Sequence, residues 1–578
     1  MKNLNKSLVY LMFVFTIITF CSCTITEDIG TFKNSLDSLS IKIGTPEFAA
    51  LVHFEFVDAK TNDYIPGNIT ITLSGKNSTN IYNNIGKKLD SYNTVIGMLD
   101  LVVDPHNVDT ATIKNKPIEF DLSASLSGYV GVTQKIFVNE NKTKNIVIPL
   151  LKLDDAPSGV SIVQNTDFAF SSTDANITET VVETLNSGNQ TVEISKGVEL
   201  IDKLGNPVTG TVSCQVIYYD PTSVYAQKAI PGGLDVTAKL ADASTSQISF
   251  VSAGMFNIFM SAGGNEVRFF ENGGVKIKTN VPPALINPHT GYPVKEGDLI
   301  ELWSLEENSG NWIFEKMDTI KSVNNVLFLE ETIKHLSSWN WSFYSQSCSN
   351  GPKFSWIGNL SGTVKVKVSA KMENNNSPRI IYTNAKPNDP DYGELQIYNT
   401  PTSVPTLLTF TDANENNPLF TFSPSTLNIS NLCDGESYNV TITEKQVDHI
   451  IVKTDMSLCA RSNKNIVIKP SATIYFKPSI DRNWISEEMK NGIFSMSVNL
   501  GIEYDFFIML GGNSGNARLK VEDVGNNMLK VTMTPTISFG SLFKKDQAFT
   551  YNLTKQDDNI VNLKYTFKLT DDVFNQLK

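Results

Sequence analysis

Residues suited to catalysis are scarce in this sequence. Its 578 residues include five histidines, which are scattered along the chain: His53, His106, His289, His335 and His449. It contains no HExxH motif, no G-x-S-x-G nucleophile turn and no phosphate-binding G-x-x-x-x-G-K-[ST] loop. Because those motifs supply the zinc ligands, the nucleophile or the phosphate cradle of the corresponding enzymes, the sequence predicts no enzyme, no catalytic residue, no metal site and no cofactor.

Cysteine is equally scarce. Beyond the N-terminal Cys21 and Cys23, the chain has Cys214, Cys348, Cys433 and Cys459. Four cysteines allow three pairings, which sequence alone does not distinguish. Cys433 and Cys459 are the preferred partners, because they are close in the chain and both lie beside turn residues. The spacing matches no zinc motif, which favours structural roles.

The chain also lacks a lysine- or arginine-rich stripe. Its formal charge is −12, with 41% apolar and 19% charged residues. This composition is typical of a folded protein and not of a disordered one. An acidic surface repels phosphate backbones, so we expect no nucleic-acid partner.

Long hydrophobic runs are absent apart from one short run at the N-terminus. Lys2 and Lys6 precede 13 uncharged residues from Leu8 to Phe20, and Cys21, Ser22 and Cys23 follow. A membrane-spanning helix needs about 20 apolar residues. Residues 1–22 resemble a bacterial lipoprotein signal peptide, which implies lipidation of Cys23 and a lipidated tether over residues 23–45. A plain transmembrane anchor is the alternative.

Two acidic residues, Glu27 and Asp28, follow the lipidation site. They resemble the surface-export signal of lipoproteins in Bacteroidota-type bacteria, although a solvated linker explains them equally well. The resemblance implies a protein that is held in the outer membrane by its N-terminal lipid and displayed on the cell surface.

Residues 46–152 show the alternation of a β-rich unit. Val52 to Asp58 and Ile69 to Leu73 alternate with period two, and Pro66-Gly67 suits the turn between them. Ser127-Gly128-Tyr129 follows later. In this order the motifs resemble the carboxypeptidase regulatory-like domain, a β-sandwich of transthyretin type. The resemblance implies a structural or binding accessory without catalytic residues.

Residues 160–350 carry a second ordered series of motifs. It runs from Asp202-Lys203-Leu204-Gly205-Asn206 through Tyr219-Asp220-Pro221 to His335-Leu336-Ser337-Ser338-Trp339-Asn340. The series resembles the extracellular β-sandwich of cartilage intermediate layer protein. Trp341 stands where that family often has a cysteine, which puts the usual disulfide in doubt unless Cys348 replaces it.

Two further β units are predicted, a β-sandwich over residues 355–462 and a β-rich domain over residues 463–578. Both contain short alternating strands separated by Asn, Gly and Asp turns. Short helices are expected at Ser486–Asn491 and Asp571–Leu577. The predicted fold class is therefore all-β, with tandem Ig-like or transthyretin-like β-sandwiches after the signal peptide.

Trp303 and Trp312 lie near Glu301, Glu306 and Glu307. Aromatic faces suit sugar rings, so both tryptophans are candidates for ligand stacking. Burial in a strand core is the favoured alternative, and glycoside hydrolysis by the carboxylates is strongly disfavoured.

Together these features predict a membrane-anchored, surface-displayed lipoprotein that acts as a non-enzymatic binding, adhesion or structural module. Its expected partners are the membrane, through the N-terminal lipid, and a protein or glycan ligand. The alternative is an accessory protein for polysaccharide or peptide processing, with a cryptic site in the C-terminal domain.

Overall fold

The computed structural model describes residues 41–44, 50–104, 116–168, 177, 181–185, 189–360, 362–372, 379–390, 392–401, 404–414, 418–445, 449–460, 462, 466–481, 483–510, 513–535, 549–554 and 560–569. Strands dominate these residues, which include a short helix, α1 (Val224–Lys228), and a 3₁₀ turn at Ser78–Asn80. The predicted all-β class with tandem β-sandwiches is confirmed. None of the helices in the described part of the chain is long and apolar enough to cross a membrane.

A separate strand, β1 (Ile41–Gly44), precedes the first module, residues 50–152. The strands of the first module are β2 (Ala50–Asp58), β3 (Thr70–Ser74), β4 (Ile81–Asn83), β5 (Tyr92–Asn93), β6 (Met98–Val103), β7 (Ile118–Ser125), β8 (Val132–Val138) and β9 (Lys144–Leu150). They form a sandwich of two four-stranded sheets, ordered β4-β6-β2-β9 and β5-β3-β7-β8. Alternate residues of β2, among them Val52, Phe54 and Phe56, are buried in its core.

The second module, residues 160–347, is built around one large sheet and a five-stranded sheet ordered β11-β12-β19-β25-β24. Its strands are β10 (Val160–Phe168), β11 (Val181–Leu185), β12 (Gln190–Ile194), β13 (Glu199–Ile201), β14 (Val212–Tyr219), β15 (Asp235–Lys239), β16 (Thr245–Ala262), β17 (Asn265–Glu266), β18 (Phe269–Glu271), β19 (Val275–Asn280), β20 (Ile286–Asn287), β21 (Tyr292–Pro293), β22 (Leu299–Glu306), β23 (Asn311–Thr319), β24 (Lys321–Val323), β25 (Val326–Ile333) and the first part of β26 (Ser338–Ile357). Within the large sheet, the pairings of β15, β16, β26, β22 and β23 close into a ring.

The strand β26 continues into the third module, residues 352–445, and therefore crosses the predicted boundary at residue 350. The other strands of this module are β27 (Val364–Met372), β28 (Arg379–Ala385), β29 (Glu394–Pro401), β30 (Thr406–Asp412), β31 (Phe420–Ser423), β32 (Thr426–Ile429) and β33 (Ser437–Glu444). One sheet is ordered β28-β27-β30-β32, and the second part of β26 pairs with β29 and β33. Phe354, Trp356 and Phe410 fill the core between them.

The fourth module, residues 449–569, is a two-sheet sandwich, and β1 pairs with one of its strands. Its strands are β34 (His449–Ala460), β35 (Ile466–Lys469), β36 (Ala472–Pro478), β37 (Ile485–Met489), β38 (Ile493–Asn499), β39 (Glu503–Leu510), β40 (Asn513–Gly525), β41 (Met528–Pro535), β42 (Phe549–Thr554) and β43 (Ile560–Leu569). Because β34 pairs with β35, β38 and β43, it belongs to this module, and the predicted boundary at 462 falls too late.

The prediction of a helix at Ser486–Asn491 is wrong. Residues Ile485–Met489 form β37, which pairs antiparallel with β36. Ser486 accepts from the Asn384 side chain of the third module at 2.5 Å, and Glu487 accepts from Thr363 at 2.5 Å. These tertiary contacts override a weak local helix preference. The helix expected at Asp571–Leu577 lies outside the described residues.

The disulfide links Cys348 of β26 to Cys433, 85 residues apart in the sequence. The predicted Cys433–Cys459 pair is therefore wrong. Cys459 is buried in β34 of the fourth module, whereas Cys433 belongs to the third module, so proximity in the chain does not bring them together. The structure thus gives Cys348 a structural role in tying β26 to the third module.

A set of buried charges, here called the ionic junction, joins the first module to the third and fourth. The Lys365 ammonium of β27 donates to both carboxylate oxygens of Glu55 on β2, at 2.5 and 2.8 Å. His53 Nδ1 lies 2.8 Å from Asp100 Oδ1, and the Tyr475 hydroxyl donates to the same oxygen at 2.5 Å. All five side chains are buried. The modules therefore contact each other here through paired polar groups that are shielded from solvent.

The ionic junction shifts the pKa of its members. Burial acts to raise the pKa of Glu55, but the Lys365 charge and the neighbouring His53 outweigh it and lower the pKa to about 2. Burial acts to lower the pKa of His53, but hydrogen bonds to Asp100 and Glu55 outweigh it and raise the pKa above its ordinary value. The Glu55 carboxyl is therefore held in its charged form, and the junction favours the charged form of His53.

Candidate ligand-binding cleft

A cleft of about 640 Å³ opens where the first, second and third modules meet. Strands β8 and β9 of the first module form one wall, and β28 with the end of β29 forms another. The second module contributes the segment 232–237 and part of β16. The volume lies within the range of about 300 to 1,000 Å³ that small-molecule sites occupy. Three packed modules therefore enclose a preformed space of ligand size.

The second module is fixed against the first beneath this cleft. Val130 and Leu151 of the first module pack into the same apolar cluster as Ala226, Ile230 and Val236 of the second. Helix α1 supplies one side of this contact. Its N-cap Ser223 accepts from the Ala226 amide and donates to the Ser158 carbonyl at 2.6 Å, so the helix start is tied to the linker between the modules. The walls of the cleft are thus held by buried contacts.

The cleft is basic although the chain as a whole is acidic. Six of its described lining residues are cationic, and Asp235 alone among them is acidic; the cations are Lys60, Lys135, Lys144, Lys228, Lys367 and Arg379. A concave surface lined by one sign of charge concentrates counter-ions near it. The charge of the cleft therefore favours an anionic ligand.

Three of these cations are already paired with carboxylates. Lys135 donates to Asp121 at 2.6 Å and lies 3.2 Å from Glu119. Lys60 pairs with Asp155, and the Arg379 guanidinium pairs with Asp235 and donates to Ser249 at 2.9 Å. These pairs hold the walls together and leave little charge for a ligand.

Lys144, at the start of β9, is different. Its ammonium donates to the Phe137 carbonyl at 2.7 Å and lies 6.0 Å from the ring centroid of Tyr398. No carboxylate of the described residues forms an ion pair with it. Burial lowers the pKa of Lys144 to about 8, and the nearby Glu140 charge only partly opposes this. The cleft wall therefore contains a cation without an anionic partner.

Amides, hydroxyls and aromatic rings make up much of the remaining lining. Gln134, Asn145, Gln247 and Thr237 provide hydrogen-bonding groups, and Gln247 donates to Thr237 at 2.6 Å. The buried Asn145 Oδ1 has no hydrogen-bond partner. Tyr225 lies in the lining with 57% of its surface exposed. Such a mixture of amides and rings suits a polyhydroxylated ligand.

The sequence-predicted stacking residues are core residues. Trp303 is 0% exposed and packs against Phe250, Phe314 and Tyr344, so the stacking hypothesis for it is wrong. Trp312 borders the cleft but is only 1% exposed, with its ring edge-on to Phe250 at 5.4 Å. Neither ring offers a free face, because both sides of β22 and β23 are covered here.

The carboxylates near Trp303 do not converge on a common site. Glu307 pairs with Arg268 at 2.6 Å, and Glu306 accepts from Ser309 in its own turn. Glu301 is buried, and burial raises its pKa to about 7. His335 Nε2 lies 3.3 Å from Glu315, and its ring contacts Trp339 at 4.7 Å. His335 is thus engaged by a carboxylate and an aromatic ring of its own module.

Several predicted features lie outside the described residues, namely Cys23 with the signal peptide, residues 23–40 of the predicted tether, and His106. Residues 41–44 of the predicted tether form β1, which pairs in parallel with β35 of the fourth module. Within the described part, no group of three or more His, Cys, Asp or Glu side chains is placed to hold a metal ion. The cleft was missed by sequence reasoning, because its walls come from three modules. The one available signal was the start of β9, where Lys144 and Asn145 precede an apolar run.

No protein-family model and no curated protein matches the chain. Among solved structures, it is similar to the major pilin subunit BcpA of Bacillus cereus, at 9% identity over 90% of this chain and 99% of that one, with a TM-score of 0.13. It is also similar to the minor pilin GBS52 of Streptococcus agalactiae, at 8% identity over 38% of this chain and 97% of that one, with a TM-score of 0.13.

The TIE protein of Bacillus anthracis is similar at 10% identity over 72% of this chain and 76% of that one, again with a TM-score of 0.13. Similarities this weak carry no weight for function. The resemblances of residues 46–152 and 160–350 to named families therefore stay predictions.

Proposed function

We propose that this protein is a non-enzymatic binding module, displayed on the cell surface and anchored in the outer membrane by a lipid on Cys23. The observation that carries the proposal is the preformed, basic cleft at the meeting point of three packed β modules. Binding sites commonly lie where rigid β-sandwiches present loops and strand ends to a shared space. A module of this kind needs no catalytic group, and its expected partner is a glycan or a protein.

The packing of the modules supports a binding role. The ionic junction and the apolar cluster around Ile230 fix the first module against its neighbours on opposite sides. A site whose walls are fixed before the ligand arrives loses less conformational entropy on binding. Residues 23–40, which precede β1, are long enough to hold this assembly away from the membrane as a tether.

The cleft is tested with the purified full chain on an array of glycans and extracellular proteins. Gln134→Trp fills the cleft from β8, and Thr70→Trp places the same side chain on an exposed position of β3 as the matched control. We expect wild type and Thr70→Trp to bind the same ligands and Gln134→Trp to lose them. Unchanged binding by a folded Gln134→Trp contradicts the proposal, and turnover of polysaccharide or peptide favours the accessory-enzyme alternative.

Anchoring and display are tested separately in cells. We expect protease added to intact cells to remove the wild-type protein, and Cys23→Ala to release it from the membrane fraction. Membrane-bound, lipidated Cys23→Ala protein contradicts the anchor, and resistance to the protease contradicts surface display.

A further inference from the structure

Two lysines lie between modules, Lys365 buried and Lys144 partly buried, and they differ in their partners. Lys365 donates to both oxygens of Glu55 within the ionic junction. Lys144 lines the cleft and donates to one backbone carbonyl. An ammonium has three donors, so the Phe137 carbonyl leaves two of them for another acceptor. The open side of Lys144 is the cleft.

An ammonium removed from water without a counter-charge destabilises the folded chain. Replacing it by an apolar side chain of similar length removes that cost. Lys144 is partly buried and donates to the Phe137 carbonyl, a contact that needs a hydrogen-bond donor but no positive charge. A ligand anion is the group that would supply the missing counter-charge.

The surroundings indicate what carries the anion. Gln134 and Gln247 supply amide groups to the cleft lining, and Asn145 holds a buried amide oxygen without a hydrogen-bond partner. Tyr382 and Tyr398 add aromatic surface. A sugar acid matches this lining, because its hydroxyls both donate and accept hydrogen bonds, its ring carbons pack on aromatic surface, and its carboxylate needs a cation.

We infer that the cleft binds an acidic oligosaccharide and that the Lys144 ammonium donates a hydrogen bond to a carboxylate of one of its sugar residues. This inference rests on the proposed function of the cleft. Charge-assisted hydrogen bonds are about twice as strong as neutral ones, so Lys144 would contribute most to the discrimination between acidic and neutral sugars.

Titration calorimetry of the full chain with hexagalacturonate and with its methyl ester tests the inference. We expect Lys144→Met to weaken hexagalacturonate binding by about 10-fold or more, since it removes a charge-assisted hydrogen bond. The ester should bind wild type as weakly as the acid binds Lys144→Met. Lys76→Met removes the same charge from an exposed turn after β3, outside the cleft lining, and should change affinity less than 2-fold.

The melting temperature separates a binding role from a structural one. Lys144→Met should melt at or above the wild-type temperature, whereas a structural lysine would lower it on removal. Equal binding of acid and ester, wild-type affinity in Lys144→Met, or no binding of hexagalacturonate at millimolar concentration each overturns the inference.

The same titration with Gln134→Trp distinguishes the two proposals. Binding that is lost in Gln134→Trp but kept in Lys144→Met leaves the cleft as the site and removes Lys144 from its role. Binding that is kept in both variants contradicts the cleft itself.

Discussion

The ionic junction and the cleft are both interfaces of the first module, and each contains a lysine, which is buried in the junction and partly buried in the cleft. In the ionic junction every charge faces an opposite charge: Lys365 meets Glu55, and His53 meets Asp100. In the cleft, Lys144 meets only a carbonyl and an aromatic ring. The same residue type therefore fastens modules together at one interface and is left available at the other. The two lysines therefore differ in their partners as well as in their burial.

Breaking the ionic junction should have the largest effect. Lys365→Met leaves the Glu55 carboxylate buried without its cation, and we expect a loss of about 3 to 5 kcal/mol in the free energy of unfolding. Denaturant unfolding monitored by tryptophan fluorescence measures it. The double variant Glu55→Gln/Lys365→Met should recover part of the loss, because it removes both charges. A Lys365→Met variant as stable as wild type would show that the ionic junction does not depend on its lysine for stability, and would remove the contrast with the cleft.

Acid should weaken the ionic junction in a defined pH window. The pKa of Glu55 is lowered to about 2 in the folded chain, so its stabilisation is present above its unfolded pKa of about 4.5 and is lost as the pH falls towards 2. Scanning calorimetry from pH 6 to pH 2.5 should show a steeper fall in melting temperature for wild type than for Glu55→Gln/Lys365→Met. Parallel curves would contradict the assignment of Glu55 as the paired carboxylate.

Removing one hydroxyl from the same junction should have a smaller effect. Tyr475→Phe deletes the hydrogen bond to Asp100, and we expect a loss of about 1 to 3 kcal/mol, because the acceptor is a buried carboxylate. Tyr292→Phe, at a site that is 72% exposed, is the matched control and should change stability by less than about 0.5 kcal/mol. Equal changes in the free energy of unfolding for the two substitutions would show that the Tyr475 hydroxyl stabilises the junction no more than an exposed hydroxyl does.

The smallest effect on stability is expected at the cleft. Lys144→Met should leave the free energy of unfolding unchanged or raise it slightly, because no anion loses its partner. Lys76→Met, in an exposed turn outside the cleft lining, provides the baseline for the loss of one positive charge. A destabilisation of Lys144→Met similar to that of Lys365→Met would remove the contrast on which the binding proposal depends.

Sequence reasoning predicted the strands more successfully than their contacts. Alternation in Val52 to Asp58 correctly indicates a strand with Val52, Phe54 and Phe56 in the core. The same alternation places His53 and Glu55 on the solvent side, yet both are buried. Their burial comes from docking against β27 and β36, more than 300 residues later in the sequence, and local periodicity contains no information about such docking.

The candidate site was the least predictable part. Trp303 and Trp312 were candidates for ligand stacking because they are aromatic residues beside carboxylates. Both are buried in the strands of the closed ring. The cysteine pairing was wrong because sequence proximity cannot reveal that β26 carries Cys348 to Cys433. The lining of the cleft likewise comes from three modules, so no single motif marks it.

The most direct test is a crystal structure of the full chain with hexagalacturonate. The account predicts a sugar in the cleft with a carboxylate oxygen about 2.7 to 2.9 Å from Lys144 Nζ, the usual length of a charge-assisted hydrogen bond. A sugar bound elsewhere on the chain, or one in the cleft with no carboxylate at Lys144, would contradict it.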